Sequence, residues 1–269
     1  MAKLNIIVLA KQVPDTHNVG KDAMTPEGTI NRSALPAVFN PEDLNALEQA
    51  LCLKDANPGS TIGVLTMGPP RAAEVIREAV FRGADTGWLL TDRLFAGADT
   101  LATSYALSTA IKKIGKVDII LGGRQAIDGD TAQVGPQVAE KLGIPQVTYA
   151  EKVEIKEDGR TAIVKRHIDT GVETVEVPLP CLITVNGSAA PCRPRNAKLT
   201  MAHKHDEAPN TWSVADVDGD PTQCGLSGSP TKVKAIQNIV FQAKEAKVLT
   251  ATDDELKELV AELKGNKVI

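Results

Sequence analysis

The sequence predicts an α/β fold built on an open, mainly parallel sheet, with a β-rich edge and a C-terminal arm. Three observations carry this expectation. Up to Gly143, short apolar runs alternate with segments of helical period. After residue 145 the segments become β-rich and are joined by turn signals. From Ala189 onward the chain turns polar and irregular, until a last amphipathic stretch.

Leu4 to Ala10 is the first strand, followed by a long loop rich in Pro, Asp and Gly. Asn40-Pro41-Glu42-Asp43 then opens a helix with a cap, a proline in the first turn and carboxylates at the positive end; Leu44, Leu47 and Leu51 form its buried stripe. Thr61 to Met67 is the second strand. It ends in Gly68-Pro69-Pro70 before a helix over Arg71 to Arg82, stopped by Gly83. Thr86 to Leu90 is the third strand, and Gly97-Ala98-Asp99-Thr100 starts the next helix, with Lys112 and Lys113 at its negative end. Thr100, Thr103 and Ser104 crowd the first turn, which reads equally as an anion-friendly terminus or a solvated helix start.

Val117 to Leu121 is a strand ending in two glycines, and Val134, Val138, Ala139 and Leu142 fall at helical spacing up to Gly143. Beyond them, Val147 to Ile155 and Thr161 to Ile168 flank a hairpin signal at Lys156 to Gly159, and Glu173 to Val177 and Leu182 to Val185 follow; all four are expected to extend the sheet at its edge. Ala189 to Gln223 reads as a long loop or extended arm, and Thr252 to Lys264 as an amphipathic helix. A tail set apart by roughly 60 irregular residues is expected to grip a partner, because connections within a domain are short.

The stretch from Gly122 to Pro136 carries the functional reading. It joins a strand to a helix where open α/β sheets bind ligands, beyond a strand's carboxyl end. Asp130 or Thr131 is the expected N-cap, leaving the amides of Thr131, Ala132 and Gln133 free to receive a phosphate at the positive end of the helix. Arg124 is placed to add a bidentate phosphate contact, and Gln125 and Gln133 to bond a flavin or adenine edge. Asp128 and Asp130 repel a phosphate unless they cap, turn or bond a ribose hydroxyl. On local chemistry alone an ordinary strand-to-helix turn is an equal alternative, since the motif is neither a Walker loop nor Gly-x-Gly-x-x-Gly.

Composition excludes several classes. With 42% hydrophobic and 24% charged residues the 269-residue chain is an ordinary globular protein. Four Phe, two Tyr, two Trp and a net charge of -4 leave neither the stacking platform nor the basic footprint of a nucleic-acid binder. The run Leu4 to Ala10 is too short for a signal-peptide core and no later run approaches a membrane span, so a cytoplasmic chain without membrane insertion is expected. Cys52, Cys181, Cys192 and Cys224 lack metal or disulfide spacing, and His203 and His205 read as solvated; no metal site is expected.

In order along the chain, Lys11-Gln12-Val13-Pro14-Asp15, Asn40-Pro41, Met67-Gly68-Pro69-Pro70, Gly97 to Ser104, the 122–136 loop and Ser229-Pro230-Thr231-Lys232-Val233 resemble landmarks of the beta (small) subunits of electron-transferring flavoproteins. The resemblance spans nearly the whole chain. A further signature over Val164 to Thr184 is followed at Arg166, Asp169, Glu173, Val175, Pro180, Leu182 and Ile183, while Thr170 departs from it. The resemblance implies a Rossmann-like, doubly wound core over residues 1–188. Residues 189–269 would then be a partner-recognition loop and an arm embracing a flavin-carrying alpha subunit.

In ordinary members this subunit holds a structural AMP. By position the nucleotide would be lined by Leu9, Ala10, Asn40, Asp43, Met67, Gly123, Arg124, Gln125, Ala126, Asp128, Gly129, Asp130, Thr131, Ala132, Gln133 and Val134. Val134 stands where ordinary members often have Thr. That departure, together with Gly97 to Ser104, resembles the flavin-bifurcating branch, which implies FAD in this subunit with Thr100 and Thr103 in its site. Such a subunit accepts hydride from NADH. It sends one electron to ferredoxin or flavodoxin and the other, through the alpha-subunit FAD, to an acyl-CoA dehydrogenase or reductase. The expected role is thus an electron carrier within an NADH-dependent complex, with no catalytic side chain of its own because the flavin does the redox chemistry. A non-redox nucleotide-binding regulatory module is the alternative from a different class. Pro191 to Leu199 resembles the family's docking loop, with Leu199 as its anchor.

Overall fold

The computed structural model describes residues 3–15, 36–204, 210–231, 246 and 248–268; His205, Lys232 and Val233 lie outside them. The chain divides into two compact units, Met1–Lys234 and Ala235–Ile269. The first is built on strands β1 (Asn5–Leu9), β4 (Thr61–Met67), β5 (Thr86–Leu90), β6 (Ile119–Gly123), β7 (Gln146–Ile155), β8 (Thr161–Ile168), β9 (Gly171–Pro178), β10 (Cys181–Val185) and β11 (Asn210–Trp212). They form one sheet in the order β11-β5-β4-β1-β6-β10-β7-β8-β9. The strands from β11 through β7 run parallel, and β8 and β9 add an antiparallel extension. β2 (Gln12–Pro14) and β3 (Ala37–Phe39) make a separate antiparallel pair.

The two-residue period of the strands sorts the core onto both faces. Ile6 and Val8 of β1, with Ile119 and Leu121 of β6, pack under α1 (Pro41–Ala56) and α2 (Ala73–Arg82). Ile7, Leu9 and Ile120 pack under α3 (Thr100–Ile114) and α4 (Val134–Leu142). The sheet is therefore doubly wound. After β5 the chain crosses back to place β6 on the other side of β1, so the crevice beyond the carboxyl ends of these strands is the topological switch point.

The expected stripe of α1 forms, with Leu47 and Leu51 buried, but the opposite side of the helix is covered too. Gln49 is buried and accepts the Val153 N–H at 3.0 Å, and Glu48 is buried and accepts from the Arg193 backbone N–H at 2.8 Å and from its guanidinium. The 182–185 run does not lie at the edge. β10 is inserted between β6 and β7 and is buried at every position, as a continuous apolar run suits a parallel central strand. The Ala189–Gln223 stretch is also more structured than its composition suggests: α5 (Ala197–His203) is capped by Asn196, and β11 becomes an edge strand of the sheet. Three residues are too few to show a period. Trp212 of β11 is held by Trp88 at 5.9 Å between ring centroids.

In the second unit α6 (Asp253–Gly265) begins beside Thr250, whose N–H and hydroxyl both donate to Glu255. No helix among the described residues is long and apolar enough to cross a membrane.

The Trp88 contact sets a limit at the neighbouring strand, because a Cβ added at Gly63 would lie 2.3 Å from the Trp88 ring. Gly63→Ala should cost about 1–3 kcal/mol by overpacking, read as a lower urea midpoint followed by tryptophan fluorescence; an unchanged midpoint would show that the edge gives way freely.

Candidate functional site: a cleft at the switch point

Beyond the ends of β1, β4 and β6 lies a cleft of about 680 Å³. Its geometry starts from the first turn of α1. Asn40 is fully buried; its Nδ2 donates to the Gln125 carbonyl at 2.9 Å and its Oδ1 accepts from the Ile127 N–H at 3.2 Å. Asp43 accepts from the Lys11 N–H at 2.8 Å and the Gly123 N–H at 2.9 Å, one on each carboxylate oxygen. Glu42 accepts from the Gln125 N–H at 2.8 Å and pairs with the Arg124 guanidinium at 3.0 Å. Three polar side chains, Asn40, Glu42 and Asp43, thus tie the loops after β1 and β6 to one helix start. Gly123 is required here, since a Cβ would stand 2.5 Å from the Asp43 carboxylate. Burial pushes the Asp43 carboxyl up to about 7, against the lowering effect of its hydrogen-bond donors.

The loop that follows is turned tightly. Asp130 N–H donates to the Ala126 carbonyl, and Asp130 (φ 46°) and Ala132 (φ 53°) both adopt left-handed backbone, a strained state for alanine. The N–H groups of Thr131, Ala132 and Gln133 find no acceptor among the described residues. On the opposite wall, Asp99 caps α3 by accepting from the Leu101 and Ala102 N–H groups, and its other oxygen accepts from the Thr231 N–H at 3.0 Å. Partial desolvation works against it, but the N–H groups of Ala102, Thr231 and Leu101 hold the Asp99 carboxyl below the usual aspartate range. Leu9, Leu65, Phe95, Leu107 and Leu182 supply an apolar floor. Free amides, an apolar floor and a glycine cradle suit a ligand that brings its own phosphate and a flat ring.

The described family model for the electron transfer flavoprotein domain matches residues 27–215. The chain belongs to the electron transfer flavoprotein family. Several of its relatives are named beta subunits of electron transfer flavoproteins. The chain is 49% identical over 231 residues to the caffeyl-CoA reductase-Etf complex subunit CarD of Acetobacterium woodii, covering 86% of each chain. It is 53% identical over 239 residues to the acryloyl-CoA reductase electron transfer subunit gamma of Anaerotignum propionicum, covering 86% of each. It is 44% identical over 272 residues to the electron transfer flavoprotein subunit beta of Megasphaera elsdenii, covering 96% of this chain and 99% of that one.

In this electron transfer flavoprotein subunit, Leu9, Ala10, Asp43, Met67, Thr100, Thr103 and all the residues named from Gly123 to Val134 line the one cleft. Asn40 is not at its surface but behind it, holding the loop. The expected cap is absent: α4 starts only at Val134, with Gln133 before it and no side-chain cap bond. Left-handed Ala132 breaks the helical path, and Asp130 instead accepts from the Gln125 side-chain amide at 2.8 Å. Arg124 faces Glu42 rather than standing free for a phosphate, and lies 5.6 Å from the Tyr149 ring. Asp128 is neutralised by Lys11 Nζ at 2.7 Å. The amides at the start of α3 are likewise taken by Asp99, so this terminus does not offer a second free phosphate site.

Glu42, within the Asn40 to Asp43 stretch set against the nucleotide by resemblance, and Asp99 read from the sequence as acids at helix starts; their ties to distant loops were not foreseen. Phe95 and Leu107 carried no ligand signal, and Thr231 entered only as part of the Ser229 to Val233 landmark. Leu199, expected on an exposed loop, is half-buried on α5, where Met201 is the outward apolar residue at 79% exposure.

Asp43 yields a measurable expectation. Asp43→Asn sets an NH2 against one of two N–H donors and should cost about 1–3 kcal/mol. A carboxyl raised from its ordinary 3.8 to about 7 contributes stability that is full at low pH and is lost as pH rises through 7. Urea denaturation should therefore give the parent its largest advantage over the variant near pH 4 and a smaller one at pH 8. An advantage growing with pH would contradict this.

Proposed function

We propose that this small subunit binds FAD in the switch-point cleft, accepts hydride from NADH and bifurcates its electrons. One electron goes to ferredoxin or flavodoxin; the other goes through the alpha-subunit FAD to an acyl-CoA dehydrogenase or reductase. The observation that carries FAD is the extent of the cleft's lining: besides the residues assigned to a mononucleotide by resemblance it takes in Phe95, Gly97, Thr103, Leu107 and Thr231. When bound, FAD would supply the hydride and one-electron chemistry. The chain's part is to hold the phosphates on the amides of Thr131 to Gln133 and to keep water from the apolar floor. Lys11–Asp128 and Arg124–Glu42 neutralise their own charges in pairs, leaving the ligand's anion little repulsion. Relatives named as parts of caffeyl-CoA and acryloyl-CoA reductase complexes support an acyl-CoA reductase as the terminal partner.

A subunit holding structural AMP is the second reading, and Asp99 favours it, since its carboxylate takes the amides a second phosphate would need. The purified heterodimer separates the two. Two flavins per dimer and bleaching by NADH are expected; one flavin with one AMP, and no bleaching, would establish the ordinary carrier.

We also propose that residues 189–269 serve partner recognition, with α5 docking the acyl-CoA dehydrogenase or reductase and the later residues gripping the alpha subunit. Leu199→Ala should slow electron transfer to that enzyme without changing flavin content. Met201→Ala separates the roles, because Leu199 is half-buried and its truncation also loosens α5. Unchanged transfer in both variants would remove α5 from the docking surface.

A further inference from the structure

The far wall of the cleft is made by two segments distant in sequence. Leu94 to Asp99 runs beside Gly225 to Thr231, and the two interlock. The Leu226 N–H donates to the Ala96 carbonyl at 3.0 Å, and the Leu226 side chain packs over Gly97. Gly225, at φ 51°, has no room for a Cβ, which would lie 2.1 Å from the Leu94 carbonyl oxygen. Ser229 is 4% exposed; its Oγ accepts from the Asp99 N–H at 2.8 Å and donates to the Gly225 carbonyl at 2.7 Å. The Asp99 carboxylate divides its work: Oδ1 caps α3 and Oδ2 receives the Thr231 N–H. Asp99, Gly97 and Thr231 all face the cleft.

We propose that Asp99 is a positioning residue that makes nucleotide occupancy of the cleft and docking of Gly225–Thr231 one coupled event. A ligand against this wall touches both segments, so it binds more tightly when they are joined and favours the joined state by the same factor. Thr231 also lies three residues before Lys234, where the first unit ends. Cofactor loading is thereby communicated to the start of the part proposed to grip the alpha subunit. This inference rests on the cleft being a nucleotide site.

The test uses the heterodimer, stripped of nucleotide and refilled with FAD or, separately, AMP, with hydrogen exchange followed over residues 225–231. Asp99→Asn keeps an oxygen for the α3 cap, where Asn serves as well as Asp, but turns an NH2 toward the Thr231 N–H. Ser229→Ala removes the second tie. In the parent, a bound nucleotide should slow exchange of this segment about tenfold; in both variants that protection should largely vanish and nucleotide affinity should fall by a similar factor. Faster exchange with the nucleotide effect intact would mark a merely structural role and overturn the coupling. So would nucleotide binding without protection in the parent, which leaves the cofactor reading standing. If neither nucleotide binds the parent, both fall together.

Discussion

The cleft depends on how the backbone amides at the ends of β1 and β6 are satisfied. Where two parallel strands stop, their next N–H groups lose the ladder and need other acceptors. The side chains of Glu42 and Asp43 provide them for Lys11, Gly123 and Gln125, and Asn40 does so for Ile127 while donating to the Gln125 carbonyl. Helix α1 is thus both a core helix, through Leu47 and Leu51, and the anchor of both cleft loops. A buried carboxyl near 7 at Asp43 is the energetic cost of that geometry.

With those loops fixed, the cleft's charges cancel locally. Lys11 meets Asp128, Arg124 meets Glu42, Asp99 meets the start of α3, and Asp130 takes a neutral amide. The amides of Thr131 to Gln133 are left without an acceptor among the described residues, beside an apolar floor, an arrangement suited to an anion held by backbone rather than by lysine or arginine. The left-handed residues Asp130 and Ala132 delay α4 until Val134 and so turn those amides out of the helix. On the opposite wall Asp99 does the reverse, accepting first-turn amides of α3 on one oxygen while it holds Thr231 with the other.

Much of this was legible in the linear pattern. Strands β1, β4, β5 and β6 and the helices that start at Pro41 and after Asp99 follow from apolar period, proline placement and glycine stops, all interactions between near neighbours, whereas the β2–β3 pair fell in a stretch that reads as loop. The cleft loop was legible because two glycines end a strand and a helical period resumes at Val134, eleven residues after Gly123. Its detailed conformation was not: whether Asp130 caps a helix or folds back onto Gln125 turns on the backbone of Ala132, which no local propensity signals.

The sequence by itself determined the α/β class, the family and the loop that lines the cleft, because these rest on short-range patterning and ordered motifs. Tertiary structure alone decided the position of β10 inside the sheet, the addition of β11 at its edge, the pairing of Arg124 with Glu42 and the meeting of Asp99 with Thr231. Those contacts join residues as much as 132 positions apart. Their partners are chosen by where the doubly wound sheet brings chain ends together, and a carboxylate in a sequence carries no mark of which distant N–H it will accept.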